Sequence, residues 1–431
     1  MGHSRLSPSI GLGRLIGLTF ALIAPASSVF LTYATGYHSA GTGIVLGYAV
    51  GGAVNLLVML AYAEVGSQYP EAGGDYSLAA RALGRQTGSV YAVLFFVKGL
   101  AIPALLALST ASYAQQLYPP LPLMPTAVSV LLALVILASL DIRTGSSVVT
   151  AMVVVEFLVF LVLLCTSLTH LHQPFWVLAH PLSGSGPIGA RKWLGASVAA
   201  LYGLNGPQAS LYYSEEVTTD PRRIGRTIFA SALITIAVEM SLVVAVTLAL
   251  PKLTIASGTL PLTALLSTNL SSTWAWRLIL LGITVALFDT GLSTLMSYSR
   301  IFYAIARDHQ WPRLINHWAA HVDARGVPIG ALSLIGCLNL VVLGLSGVDL
   351  LVMVGGSLII VVYGGVVIAS LVGRVRNPRA PYRMPLWPYA PILALAGLVL
   401  LAGHLAPSTL IITALVALFG CAWAWLRAES G

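Results

Sequence analysis

Twelve apolar stretches of near-bilayer length leave this chain few ways to fold. A membrane-spanning helix needs about 20 consecutive apolar residues. The stretches fall at roughly 13–36, 41–66, 86–116, 124–140, 146–170, 192–216, 225–250, 274–306, 328–345, 348–373, 388–404 and 407–426. Charged residues make up 8% of the 431 positions, where a soluble globular chain carries about 25%. The pattern predicts an all-α polytopic membrane protein with twelve spans. A net charge of +8 invites a nucleic-acid partner. The basic residues are instead scattered over short connectors, as a topology signal is, so no nucleic acid is expected. Cys165, Cys337 and Cys421 sit in apolar runs and match neither a metal spacing nor a disulfide framework. The first apolar run leads into a glycine-rich second one without a small-residue cleavage pattern. It reads as a first span, not a removed signal peptide.

Orientation follows from the basic residues. An even number of spans puts both termini on one side. With that side inside, seventeen of the 22 Lys and Arg residues fall on inner connectors or span ends. Arg191, Lys192, Lys252 and Arg277 fall outside, and Lys98 lies within a span. The positive-inside rule then predicts a protein of the cytoplasmic (inner) membrane with both termini cytoplasmic.

Two spans carry helix breakers near their middles. Gly203-Leu204-Asn205-Gly206-Pro207 interrupts the sixth, and Pro25, flanked by Ala24, Ala26, Ser27 and Ser28, interrupts the first. Hydrocarbon tolerates freed backbone groups only where protein or a watery cavity satisfies them. The two spans lie five apart and run in opposite directions. That is the pointer to inverted repeats with a solute site at their interface. Two unrelated packing kinks are the alternative. The glycines from Gly47 to Gly52 in the second span read as close helix packing. The connectors Glu64–Tyr76 and Ser299–Pro312 are open to two readings, a solvated link or a cytoplasmic gate. Gly184–Gly189 matches Gly-x-Gly-x-x-Gly but has no strand before it, so no nucleotide or other cofactor is expected.

Four charges lie deep in spans: Lys98, Glu156, Glu239 and Asp289. Each costs at least about 2.5–3.5 kcal/mol at the bilayer centre unless paired or wet, which makes each a functional candidate. At about 1.5 Å per residue, Lys98, Glu156 and Asp289 all lie roughly 15–18 Å in, at one level. The expectation is that Lys98 pairs with Glu156 or Asp289 and that the pair couples transport to a proton. A permanent structural ion pair is the alternative. Glu239 has no polar neighbours in sequence, so a packing or water-capping role stands beside a functional one.

The stretch from Gly203 through Glu215-Glu216 to Asp220-Pro221-Arg222 resembles the amino acid–polyamine–organocation (APC) permeases. So do Tyr69-Pro70-Glu71-Ala72-Gly73-Gly74 and Ser299-Arg300 with Ala306-Arg307-Asp308. Pro25 to Phe30 is closer to the putrescine-importer-like branch. The resemblance covers nearly the whole chain. It implies a LeuT-type fold: inverted repeats over 13–170 and 192–373, with 388–426 forming two peripheral spans. It also implies that solute binds at Ala24, Pro25, Ala26, Ser27 and Ser28 and at Tyr202, Gly203, Leu204, Asn205 and Gly206. This chain departs from relatives in two places. Glu156 stands where amino acid members often carry a lysine, and Lys98 where polyamine-like members carry an acid.

The expected function is secondary transport of a small amino acid or related amine, proton-coupled or by exchange. Two alternatives stay open: an alkali or metal cation as cargo, and an anionic carboxylate recognised by Lys98. No span carries His-Glu-x-x-His or Gly-x-Ser-x-Gly, so an enzyme is not expected. Twelve spans with internal inversion argue against a channel, which is usually a symmetric oligomer with a filter loop. The expected partners are the solute, protons and the bilayer, with the protein a monomer or a homodimer.

Overall fold

A computed structural model describes residues 6, 8–183, 186–218, 220–250, 273–345, 351 and 358–429, with only the backbone described for Ala26, Ser27, Phe30, Leu31, Ala34, Thr35, Ser183, Thr273, Ala275, Trp276 and Glu429. The protein is an all-helical membrane protein, with one hairpin of two short strands among the described residues. Among the described residues, seven helices are long and apolar enough to cross a bilayer, and four more are shorter and apolar.

The first expected span is two helices, α1 (Leu12–Ile23) and α2 (Pro25–Ala40). Proline lacks an N–H and disfavours the α region for the residue before it. Ala24 accordingly sits in the left-handed region at φ 44° and ψ 68°, and Pro25 opens α2. Next come α3 (Ile44–Gln68), α4 (Asp75–Leu83), α5 (Arg85–Leu117), α6 (Leu123–Ala138) and α7 (Ile142–Thr169). Helix α7 is started by Asp141, whose Oδ2 accepts from the Arg143 and Thr144 N–H groups at 3.1 Å each.

The segment expected to span at 192–216 is helical only as α8 (Ala190–Gly203). Beyond the break it does not resume as an α-helix. It continues as a five-residue 3-10 turn, Pro207–Leu211, and then irregular turns to Glu216. The cause is local: Gly206 has φ 136° and Pro207 follows it. Helices α9 (Pro221–Ala249), α10 (Thr273–Arg307), α11 (Arg313–Ala319), α12 (Ile329–Leu345), α13 (Ile359–Arg376), α14 (Tyr389–Ala402) and α15 (Pro407–Glu429) complete the described chain. The expected span at 348–373 falls partly outside the described residues. Two short helices that the span pattern did not anticipate, α4 and α11, lie between expected spans.

The Gly-x-Gly-x-x-Gly segment needs a correction. A strand does precede it, Leu182–Ser183. That strand pairs antiparallel with Gly186–Pro187 inside the motif, so the segment is a hairpin and not a strand-to-helix phosphate loop.

Helix α3 lies against both α8 and α9, and α5 against α10 and α15. The glycines of α3 make the first contact possible. A Cβ on Gly51 would stand 2.8 Å from the Ser197 carbonyl oxygen on α8. The N-terminal segment is pinned to the chain beyond the α8 break. Ser9 and Ile10 donate to the Glu216 carbonyl at 2.7 and 3.0 Å, and Thr218 N–H returns to Ile10.

Candidate functional site

The two helix breaks touch. A Cβ on Gly206 would lie 2.9 Å from Ile23 Cα and 3.0 Å from Ile23 N, so the α8 break rests on the main chain that ends α1. A Cβ on Gly203 would lie 2.8 Å from Thr32 Oγ1 on α2. Only glycine permits either approach.

Much of the freed backbone is answered by side chains, as buried polar groups require. Asn55 on α3 donates to the Leu204 carbonyl at 3.1 Å. Gln208 Oε1 accepts from Gly206 N–H at 3.2 Å. Asn205 Oδ1 accepts from Gln208 at 2.8 Å and from the Tyr363 hydroxyl on α13 at 2.7 Å.

Beside the breaks lies a cavity of about 70 Å³, room for about two waters. Its walls are Leu22 and Ile23 at the end of α1, Ser28 and Thr32 on α2, and Tyr202, Gly203 and Asn205 at the α8 break. Helix α5 contributes Lys98, Ile102 and Leu106, and α10 contributes Thr290, Thr294 and Tyr298. Tyr212 completes it. Of the expected site residues, Ser28, Lys98, Tyr202, Gly203 and Asn205 line this space. Ala24 and Pro25 are buried at the bend of the first broken helix. Leu204 is buried with its carbonyl taken by Asn55, and Gly206 faces Ile23. The side chains of Ala26 and Ser27 lie outside the described residues.

The α10 contribution was missed from sequence. Its signal was available: Thr290, Thr294 and Tyr298 recur every four residues along an apolar span, which puts them on one face.

The deep charges are arranged differently from the expected pair. Among the described residues no ion pair joins Lys98 to Glu156 or Asp289. Lys98 is 4% exposed, and its ammonium stands 4.9 Å from the Phe95 ring centroid. Equal depth did not bring the groups together, because depth fixes no rotation about the helix axis. The carboxylates instead lie within electrostatic reach of one another through Glu156. Glu156 on α7 interacts electrostatically with both Glu239 on α9 and Asp289 on α10. All three are at most 1% exposed. Glu239 has a partner that sequence did not suggest: Ser28 Oγ donates to its Oε1 at 2.6 Å. Both Asp289 oxygens are without a hydrogen-bond partner among the described residues. No group of three or more His, Cys, Asp or Glu among the described residues is close enough to hold a metal ion.

The quoted motif segments meet at one end of the bundle. Glu216 and Arg300, both 2% exposed, form a two-point pair, with Nη2 donating to Oε1 at 2.9 Å. Arg307 pairs with Glu215 at 3.0 Å, and Glu215 also accepts from Ala72 N–H at 3.1 Å. Arg81 pairs with Glu71 at 2.9 Å; that hydrogen bond raises the Arg81 guanidinium above its usual value. Asp75, 1% exposed, accepts from Tyr62 and, at 2.7 Å, from the cavity residue Tyr212. Charged connectors and cavity are thus linked through one tyrosine.

The sequence profile of the amino acid permease family matches residues 10–426. The chain belongs to that family. It is an integral membrane transporter, not an enzyme. The permease is 27% identical over 337 residues to uncharacterized transporters of Mycobacterium bovis and of two Mycobacterium tuberculosis strains. The match covers 76% of this chain and 70% of each relative.

Proposed function

We propose that the permease carries a small amino acid, or a related organic solute, across the cytoplasmic membrane by alternating access. The observation that carries this reading is the contact between the two helix breaks, Gly206 against Ile23, beside a cavity lined by both broken helices. Two interrupted helices meeting at such a cavity support the LeuT-type arrangement, with repeats over 13–170 and 192–373 and residues 388–426 outside them. In that arrangement both termini are cytoplasmic, and the ion pairs of Glu215, Glu216 and Glu71 close the cytoplasmic side. Ser28, Tyr202, Gly203 and Asn205 hold the solute. The carbonyl ends of α1 and α8 suit an ammonium, and the N-terminus of α2 suits a carboxylate.

The driving ion is the proton. Three buried carboxylates within electrostatic reach cannot all remain charged without a cation among them. Protons answer that need at Glu156, Glu239 and Asp289, and Ser28 joins the trio to the cavity. The test is uptake of radiolabelled amino acids into proteoliposomes under imposed pH or sodium gradients. An inward proton gradient accelerates uptake and a sodium gradient does not. Absence of uptake of any amino acid under every gradient defeats the reading.

A further inference from the structure

We infer that the solute is an acidic amino acid whose side-chain carboxylate is bound by Lys98; this rests on the reading of the cavity as a solute site. The cavity wall contains one basic side chain, Lys98, and no carboxylate. A buried ammonium without an anionic partner is costly. Two nearby acids, Asp75 and Glu239, are engaged elsewhere. Asp75 reaches Lys98 electrostatically but forms no ion pair with it, and its oxygens accept from Tyr62 and Tyr212. Glu239 holds the Ser28 hydroxyl. Among the described residues Lys98 has no hydrogen-bond or ion-pair partner; its contact is the Phe95 ring.

The α-amino and α-carboxylate groups of an amino acid are already matched by the helix ends at the two breaks. Leu22 and Ile23 at the end of α1, and Gly203 at the end of α8, line the wall. The helix ends cancel a zwitterion and leave the Lys98 charge over. A second carboxylate on the solute balances it. A neutral side chain leaves the ammonium bare, and a cationic one adds repulsion. The cavity of about 70 Å³ is smaller than either acidic amino acid, so it must widen to admit one, and aspartate needs less widening than glutamate. Thr290 and Thr294 on the α10 wall supply further hydroxyls for a carboxylate.

The experiment is uptake into proteoliposomes of radiolabelled L-aspartate, L-asparagine and L-lysine, which differ in side-chain charge. The wild-type protein takes up L-aspartate, and unlabelled L-asparagine competes about tenfold less well or worse, as loss of a charge-assisted contact predicts. In Lys98→Met the preference between L-aspartate and L-asparagine collapses or reverses. In Lys98→Arg the preference for L-aspartate returns. Wild-type uptake of L-asparagine or L-lysine but not L-aspartate overturns the inference and leaves the transporter reading standing. Uptake of no amino acid removes both. Competition on the wild-type protein decides the matter even where a variant fails to fold.

Discussion

The substitution Gly206→Ala tests the contact between the two breaks most directly. Two independent costs fall on one methyl group. Gly206 has φ 136°, a conformation that side chains rarely adopt; holding alanine there costs about 1–3 kcal/mol. The added Cβ also lands 2.9 Å from Ile23 Cα and 3.0 Å from Ile23 N. Those are main-chain atoms, so no rotamer change relieves the clash, and overpacking of this kind costs about 1–3 kcal/mol more. The combined strain of about 2–6 kcal/mol acts at the break itself. The expected result is at least about a tenfold loss of solute uptake, with a lower melting temperature in detergent. Gly195→Ala is the control on the same helix. A Cβ at Gly195 meets nothing within 4 Å, so that variant melts and transports like wild type. Equal uptake by Gly206→Ala and wild type would refute the claim that the close approach of the two breaks forms the site.

Three further outcomes follow from the geometry. Glu239→Gln and Asp289→Asn each change the pH dependence of uptake, measured across a pH series; a profile unchanged in both removes the carboxylate trio from coupling. Arg300→Met leaves Glu216 buried without its partner, a loss of about 3–5 kcal/mol. Arg81→Met opens a pair whose arginine is 48% exposed, worth about 0–1 kcal/mol, so Arg300→Met has much the lower detergent melt of the two. Asp141→Ala removes the cap of α7 at a cost of about 1 kcal/mol. The Asp141 carboxyl is held below its usual value by hydrogen bonds from the Thr144 side chain and N–H and from Arg143 N–H. A depressed value means the cap stabilises fully above the ordinary carboxylate value, about 3.9, and fades as pH falls through the folded one. The melts of wild type and Asp141→Ala therefore converge on acidification.

Both helix breaks were legible because their cause is covalent. Pro25 and Pro207 have no N–H to give, and Gly206 alone tolerates its φ. Seven long spans were legible because a helix that crosses a bilayer needs about 20 apolar residues. What packs against what was not. Lys98, Glu156 and Asp289 were correctly read as buried, yet their pairing depends on how each helix is rotated, and that is decided by neighbours far along the chain. The Ser28–Glu239 bond joins residues 211 positions apart, and no local pattern announces it. The stretch after Pro207 misled for the opposite reason. Its composition suits an α-helix, but a proline after a positive-φ glycine lets only a short 3-10 turn form. The hairpin at Leu182–Pro187 is likewise too short to have a readable alternation.

A serine hydroxyl owns a single hydrogen. While Ser28 commits it to an ionised Glu239, only lone pairs are left to greet whatever occupies the neighbouring hollow. Neutralising Glu239 releases that hydrogen, which can then swing round and be offered to an anionic guest. The direction of one O–H bond thus follows the charge on the acid behind it.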